Sequence, residues 1–229
     1  MGIQTFNESI LKVLQRRHTA RQAIEAFQNC RAAGFQNISI DLMYGLPGET
    51  LSTWQQDLDQ ALLLHPEHLS AYHLIYEEDT VLWKLREQHK VEEADEDLSV
   101  SLFSTLIDRL TSEGYDHYEI SNFSLPGLYS RHNSSYWTEK KYLGCGPSAH
   151  SYNGVPRQWN VASLDTYIKG ISAGTPVFEI EELDLYTRYN DFVITRIRTE
   201  WGMPLSKLRD EFGEKLYDYC LRMAAPHLK

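Results

Sequence analysis

Residues 37–75 constrain the fold more than any other stretch of this 229-residue chain. Asn37-Ile38-Ser39-Ile40-Asp41-Leu42-Met43-Tyr44 alternates apolar and polar side chains with period two, the pattern of a strand with one covered face. Ile38, Ile40 and Leu42 share one face, and Ser39, Asp41 and Met43 the other. Gly45-Leu46-Pro47-Gly48 breaks the strand. Trp54, Leu58, Ala61 and Leu62 then recur at helical spacing over about 51–64, until Pro66 stops the helix. A second strand is expected over 69–75. Strand, turn, helix, strand is the βα repeat of a parallel sheet, in which a right-handed crossover lays the helix on one face.

The flanking segments extend the pattern. Gly2 to Phe6 reads as a short strand, Asn7 as the cap of a helix carrying Ile10, Val13 and Leu14, and 20–33 as a helix ended by Gly34. A helix at about 95–112 stacks Leu98, Leu102, Leu106 and Leu110, and Tyr115 to Phe123 reads as the next strand. Four strands, the first cut short, do not close a barrel. The expected fold class is therefore α/β: the C-terminal part of an incomplete barrel followed by a mainly helical appendage, an interior piece of something longer. The expected divisions are βα units over 1–125, a capping loop with short strands over 126–180, and a helical region over 181–229. That last region has helices near 184–198 and on both sides of Gly213, like the start of a winged-helix domain.

Composition narrows the function classes. The net charge of −10 disfavours nucleic acid as a partner, since the densest basic group is only Arg16-Arg17-His18 with Arg21. No apolar run approaches the roughly 18–20 residues of a membrane span, so an integral membrane protein is not expected. Peripheral association remains compatible with this. Three scattered cysteines, Cys30, Cys145 and Cys220, do not form a disulfide framework and point to a reducing, cytoplasmic setting. They also contain no paired-cysteine motif for zinc or iron–sulfur.

The chemistry concentrates in a few places. Asp41 lies near the C-terminal end of its strand, on the face away from the helices, where parallel α/β proteins bind ligands. Alone, Gly45 to Thr50 is a turn with a helix cap. Arg16 and Arg17, at a helix end, suit a carboxylate or phosphate. His-Asn-Ser-Ser-Tyr-Trp at 132–137 and Tyr-Leu-Gly-Cys-Gly-Pro-Ser-Ala-His-Ser-Tyr-Asn-Gly at 142–154 read as irregular, glycine-rich, histidine-bearing loop. His132 and His150 are candidate metal ligands or proton carriers, and Glu119 to Asn122 adds polar groups at a strand end. Tyr136, Trp137, Tyr142, Tyr152 and Trp159 suit stacking on a planar ligand and equally an ordinary core. Cys145 is expected to be a buried thiol.

These segments, with GIQTFNE, QRRH, GFQNISIDLMYGLPGET, HLSAYHL, GYDHYEISNF, HNSSYW and YLGCGPSAHS in that order, resemble the oxygen-independent coproporphyrinogen III oxidase family of radical S-adenosylmethionine proteins. The likeness runs from residue 2 to about 200 and is nearest to the heme-chaperone (HemW) branch. It implies a partial (β/α)6 barrel, S-adenosylmethionine, and a 4Fe–4S cluster held by a three-cysteine loop that should lie upstream of Met1. This chain alone is then expected neither to assemble the cluster nor to do radical chemistry. The resemblance assigns S-adenosylmethionine contacts to Gln4, Arg16, Asp41, Ile75 and His150. It assigns heme to the HNSSYW motif, with His132 as heme-iron ligand or contact.

The implied function is that of a heme chaperone, binding heme and S-adenosylmethionine and delivering heme to acceptor proteins. The alternative is the oxidase itself, converting coproporphyrinogen III to protoporphyrinogen in porphyrin biosynthesis. A ligand-sensing barrel with a helix–turn–helix output is disfavoured, because residues 204–225 balance their basic and acidic side chains.

Overall fold

The computed structural model describes residues 1–228. They form two compact units, one of Met1–Ser130 and a second from Arg131 onward. The first contains β1 (Gly2–Gln4), α1 (Glu8–Val13), α2 (Ala20–Ala32), β2 (Ser39–Tyr44) and α3 (Leu51–Leu63), then β3 (His68–His73), α4 (Val81–Glu87), α5 (Glu96–Ser112), β4 (Asp116–Glu119) and β5 (Asn122–Ser124). Its sheet runs β1-β2-β3-β5-β4, with β1, β2 and β3 parallel. The period-two reading of β2 holds: Ile40 and Leu42 are buried against the helices, whereas Ser39, Asp41 and Met43 stay half-exposed.

Helices α2, α3 and α5 cover one face of this sheet. Phe27, Trp54, Leu58, Leu102, Leu106 and Leu110 pack there on Ile3, Ile40, Leu42, Leu69 and Phe123. Trp54 ties two helices together by donating Nε1–H to the Leu102 carbonyl at 3.0 Å. Each helix start is fixed locally. Asn7 accepts from the amides of Ser9 and Ile10, and Thr19 with Gln22 and Thr50 with Thr53 form reciprocal caps. Such caps stabilise by about 1 kcal/mol each.

Two expectations fail here. The strand read over Tyr115 to Phe123 is a hairpin, with β5 antiparallel to both β3 and β4. The cause is a side chain: Glu119 accepts the Ser121 amide at 3.2 Å and the Asn122 side-chain amide, folding the chain back over Ile120 and Ser121 without a glycine or proline. Helix α4 was not foreseen. Thr80 caps it, and Leu82 and Trp83 lie against a small apolar group of Leu46, Leu74 and Tyr76.

The second unit begins with α6 (Arg131–Trp137). An antiparallel sheet of β6 (His150–Tyr152), β7 (Arg157–Asn160) and β8 (Phe178–Glu181) follows, with α7 (Leu164–Ser172) between β7 and β8. The chain then forms α8 (Leu185–Ile197) and α9 (Leu205–Ala224), the latter broken at Gly213 (φ 78°, ψ 169°), where the sequence places a break between two helices. Tyr189 and Phe192 of α8 pack on Leu208, Phe212, Leu216 and Cys220 of α9. Leu185 and Ile197, expected on the same apolar face, are exposed at the two ends of α8. Among the described residues no helix is long and apolar enough to cross a membrane.

Candidate functional site

The uncovered face of the first sheet is polar because β2 and β3 run in matched register. Ser39, Asp41 and Met43 stand beside His68, Ser70 and Tyr72, and β5 adds Ser124 opposite His68 and Asn122 opposite Ser70. A chain of hydrogen bonds crosses it. Ser70 Oγ donates to Asn122 Oδ1 at 2.9 Å, and the Asn122 amide donates to the buried carboxylate of Glu119. In a parallel row, His68 Nδ1 lies 2.7 Å from Ser39 Oγ and its Nε2 lies 2.7 Å from Tyr118 Oη. Burial pushes the His68 imidazole down to about 4, so the ring is neutral at pH 7.

Asp41 occupies this face as its strand periodicity requires. Burial raises its carboxyl above the ordinary range, opposed by the Met1 ammonium at 3.9 Å and by the Ser70 hydroxyl. Gln4 sits in the left-handed region (φ 72°), an uncommon conformation for a residue with a side chain, at a register shift in the pairing of β1 with β2. A Cβ built on Gly2 would meet the Gln4 side-chain nitrogen at 2.6 Å and Asp41 Oδ2 at 3.9 Å. Gln4 and Asp41 therefore converge on one spot. Arg16 is exposed shortly after α1, and Ile75 is 71% exposed just past β3.

The turn after β2 is more constrained than its sequence shows. Glu49 is buried, and its Oε2 accepts the amides of Gly45 at 2.6 Å and Leu46 at 3.2 Å. Burial pushes its carboxyl up to about 7, with buried Asp57 adding to the shift. Gly45 has φ 73°, and a Cβ there would meet His73 Nε2 at 2.6 Å, so the turn closes directly on that imidazole. Asp57 in turn holds the segment after β1, accepting from Thr5 Oγ1 at 2.5 Å and from the Phe6 amide at 2.9 Å.

In the second unit the expected irregular loop at HNSSYW is instead helix α6. Its helical turn places His132 and Tyr136 on one side, with Tyr136 Oη 3.4 Å from His132 Nε2 and the rings edge-on at 5.2 Å. Ring contacts continue from Tyr136 to Tyr142 (5.1 Å) and from Tyr142 to Tyr152 (6.2 Å). A cavity of about 580 Å³ opens on this run, walled by Tyr136, Trp137, Tyr142, Tyr152, Leu183 and Phe212. Charged side chains at 139, 140, 157, 188, 191 and 211 edge it. Sequence reading named the tyrosines and Trp137 but not these charges, which are too far apart in sequence to register as a motif.

The loop carrying Cys145 and His150 is pinned by backbone acceptors. Asn160 Nδ2 donates to the carbonyls of Gly144 (3.3 Å) and Gly146 (2.9 Å), while the Gly146 amide donates to Tyr167 Oη at 2.9 Å. With the flanking carbonyls drawn inward, Cys145 is exposed, contrary to the buried thiol expected of it. His150 is exposed at the start of β6, opposite Trp159, with ring centroids 5.8 Å apart. No group of three or more His, Cys, Asp or Glu side chains among the described residues is arranged to hold a metal ion. The residues present thus supply no ligand set for an iron–sulfur cluster, whereas Gln4 and Asp41 form a polar corner able to hold a hydroxyl- and ammonium-bearing ligand.

Comparison with known proteins agrees with this architecture. Residues 1–61 match the Radical SAM superfamily. The chain is 34% identical over 220 residues to the heme chaperone HemW of Lactococcus lactis, covering 95% of this chain and 58% of that protein. It is 32% identical over 216 residues to the heme chaperone HemW of Bacillus subtilis, covering 94% and 57%. The chain therefore spans little more than half the length of these relatives. In fold it superposes on the coproporphyrinogen III oxidase HemN of Escherichia coli, a radical SAM enzyme, with TM-score 0.78 and 20% identity over 99% of this chain and 56% of that one. With a partial α/β sheet of this kind and identity sustained along nearly its whole length, the chain belongs to the HemN/HemW family of radical S-adenosylmethionine proteins.

Proposed function

We propose that this chain is the later part of a HemW-type heme chaperone, which binds heme through its second unit and passes it to acceptor proteins. One observation carries the reading: exposed His132 lies one helical turn from Tyr136, and Tyr136 walls an aromatic cavity in the same unit. A neutral imidazole is a common iron ligand, and tyrosine and tryptophan faces suit a porphyrin ring. The cavity volume of about 580 Å³ falls within the roughly 300–1,000 Å³ of small-molecule sites. Heme here is cargo, so its iron need not be held by a rigid ligand cage. Iron coordination at His132 Nε2 exchanges with the long contact to Tyr136, a weak bond to displace at 3.4 Å.

In the same reading the first unit contributes one wall of an S-adenosylmethionine site. Asp41 and Gln4 orient the ligand's hydroxyl or ammonium groups, Arg16 and Ile75 flank it, and His150 belongs to the second unit's share. S-adenosylmethionine when bound supplies an adenosyl group, and a 4Fe–4S cluster elsewhere in the protein supplies the electron. The free thiols of Cys30, Cys145 and Cys220 suit a reducing, cytoplasmic location.

Heme titration of the protein and of its His132→Ala variant tests this, followed by the Soret band. Loss or displacement of the band in the variant is expected. An unchanged band and affinity removes His132 from the site. Production of protoporphyrinogen from coproporphyrinogen III by the cluster-loaded protein would replace the chaperone reading with the oxidase.

A further inference from the structure

The charges around the cavity of the second unit are not evenly satisfied. Asp191 is neutralised by Arg157, which also lies 3.7 Å from Glu181. Glu139 receives both Lys207 at 2.5 Å and Arg196 at 3.1 Å, and Glu211 lies 3.5 Å from the same Lys207. Every carboxylate lining the cavity therefore has a cation. The converse is not true. Lys140 and Arg188 also line the cavity, and neither has a carboxylate within 4.0 Å among the described residues. The Arg188 guanidinium stands over the Phe212 ring, 5.9 Å from its centroid, so its stem is packed while its fork of donors remains available.

Two unpaired cations beside aromatic walls are notable in a chain of net charge −10. Partly buried cations without partners are costly to hold, and an anionic ligand group relieves that cost. The wall chemistry asks for a flat aromatic body and the cation pair asks for two carboxylates. A guanidinium fork favours a planar carboxylate, whereas an ammonium acts as a point charge.

Building on the heme reading above, we infer that Arg188 and Lys140 bind the two carboxylate arms of a tetrapyrrole whose ring lies against Tyr136, Trp137, Tyr142 and Tyr152. Selection at this cavity then acts on the carboxylates rather than on the iron. A metal-free dicarboxylate porphyrin enters as well as heme does, and a porphyrin with esterified arms is excluded whether or not it carries iron.

The test compares three probes on the unmodified protein: heme, heme dimethyl ester and metal-free protoporphyrin IX. Absorbance and quenching of tryptophan emission are the readouts. The ester is expected to bind about tenfold more weakly, the scale of one charge-assisted hydrogen bond lost. Protoporphyrin IX is expected to quench with an affinity close to that of heme. Arg188→Ala should weaken heme by a similar factor and the ester by much less, because ligand and variant delete the same contact. Arg188→Lys should recover part of the loss. Equal affinity of the unmodified protein for acid and ester overturns this inference and leaves the heme reading standing. Failure of heme to bind in any form overturns both. The acid–ester comparison involves no substitution, so a misfolded variant does not obscure it.

Discussion

His68 Nε2 and the Tyr118 hydroxyl lie 2.7 Å apart, joining β3 to β4 across the intervening β5. The other ring nitrogen is occupied by Ser39 Oγ, so the buried imidazole is held at both ends and has no room for a charge. Its value of about 4 against 6.5 for the free side chain fixes the sign of a pH effect. Between those limits the unfolded chain takes up a proton that the folded chain refuses. Stability is expected to fall as pH drops from about 6.5 to 4, by roughly 3 kcal/mol for this group at most, and to be insensitive to it above pH 7. Denaturant unfolding of the protein and of His68→Gln at pH 7.5 and pH 4.5 isolates the effect. If the difference between the two proteins is the same at both pH values, His68 does not titrate this way.

Glu49 is expected to act in the opposite direction. Its carboxyl is pushed up to about 7 from 4.5, chiefly by burial, so between those values the folded state holds a proton that the unfolded state has released. This contribution to stability is complete below about pH 4.5 and declines as pH rises towards 7. Glu49→Gln keeps an oxygen acceptor for the Gly45 and Leu46 amides and removes the buried charge. The substitution should raise stability by about 1–3 kcal/mol at pH 8 and change it little at pH 4.5. Thermal melts at the two pH values measure this. A destabilised variant at pH 8 would mean that the ionised carboxylate is the favoured form of the turn.

What the sequence made legible follows from how local each signal is. Period-two alternation located β2 and put Asp41 on the face away from the helices, because one residue's offset decides its side. Asn7, Thr19 and Thr50 marked helix starts through bonds to amides two or three residues on. The β4–β5 hairpin was hidden because its determinant is the Glu119 carboxylate rather than a turn residue. Helix α6 was hidden for a related reason. Its seven residues present no buried stripe, and its aromatics meet residues 142 and 152 instead. The charges of the second unit's cavity come from five separate segments, and only tertiary packing brings Arg188 to Phe212 or Glu139 to Lys207.

Gly144 gives a sharper test of the loop that presents His150. A Cβ at this position would lie 2.2 Å from the His150 carbonyl oxygen and 2.8 Å from the Ala149 carbonyl carbon, both rigid backbone. The strands cannot approach so closely with any side chain at 144, and the bonds from Gly144 N to Ser151 Oγ and from Asn160 to the Gly144 carbonyl depend on that approach. Gly144→Ala should therefore displace the start of β6 and cost about 1–3 kcal/mol, the scale of overpacking. Gly174→Ala is the matching control. A Cβ there meets nothing within 4 Å, so only its positive φ of 70° is penalised, at about 1 kcal/mol. Amide hydrogen exchange separates the two substitutions. In Gly144→Ala the Gly146 and Asn160 amides, bonded to Tyr167 and to the Ala149 carbonyl, should lose protection, and in Gly174→Ala they should keep it. Equal protection in both variants would show that the 144–150 contact does not hold the loop.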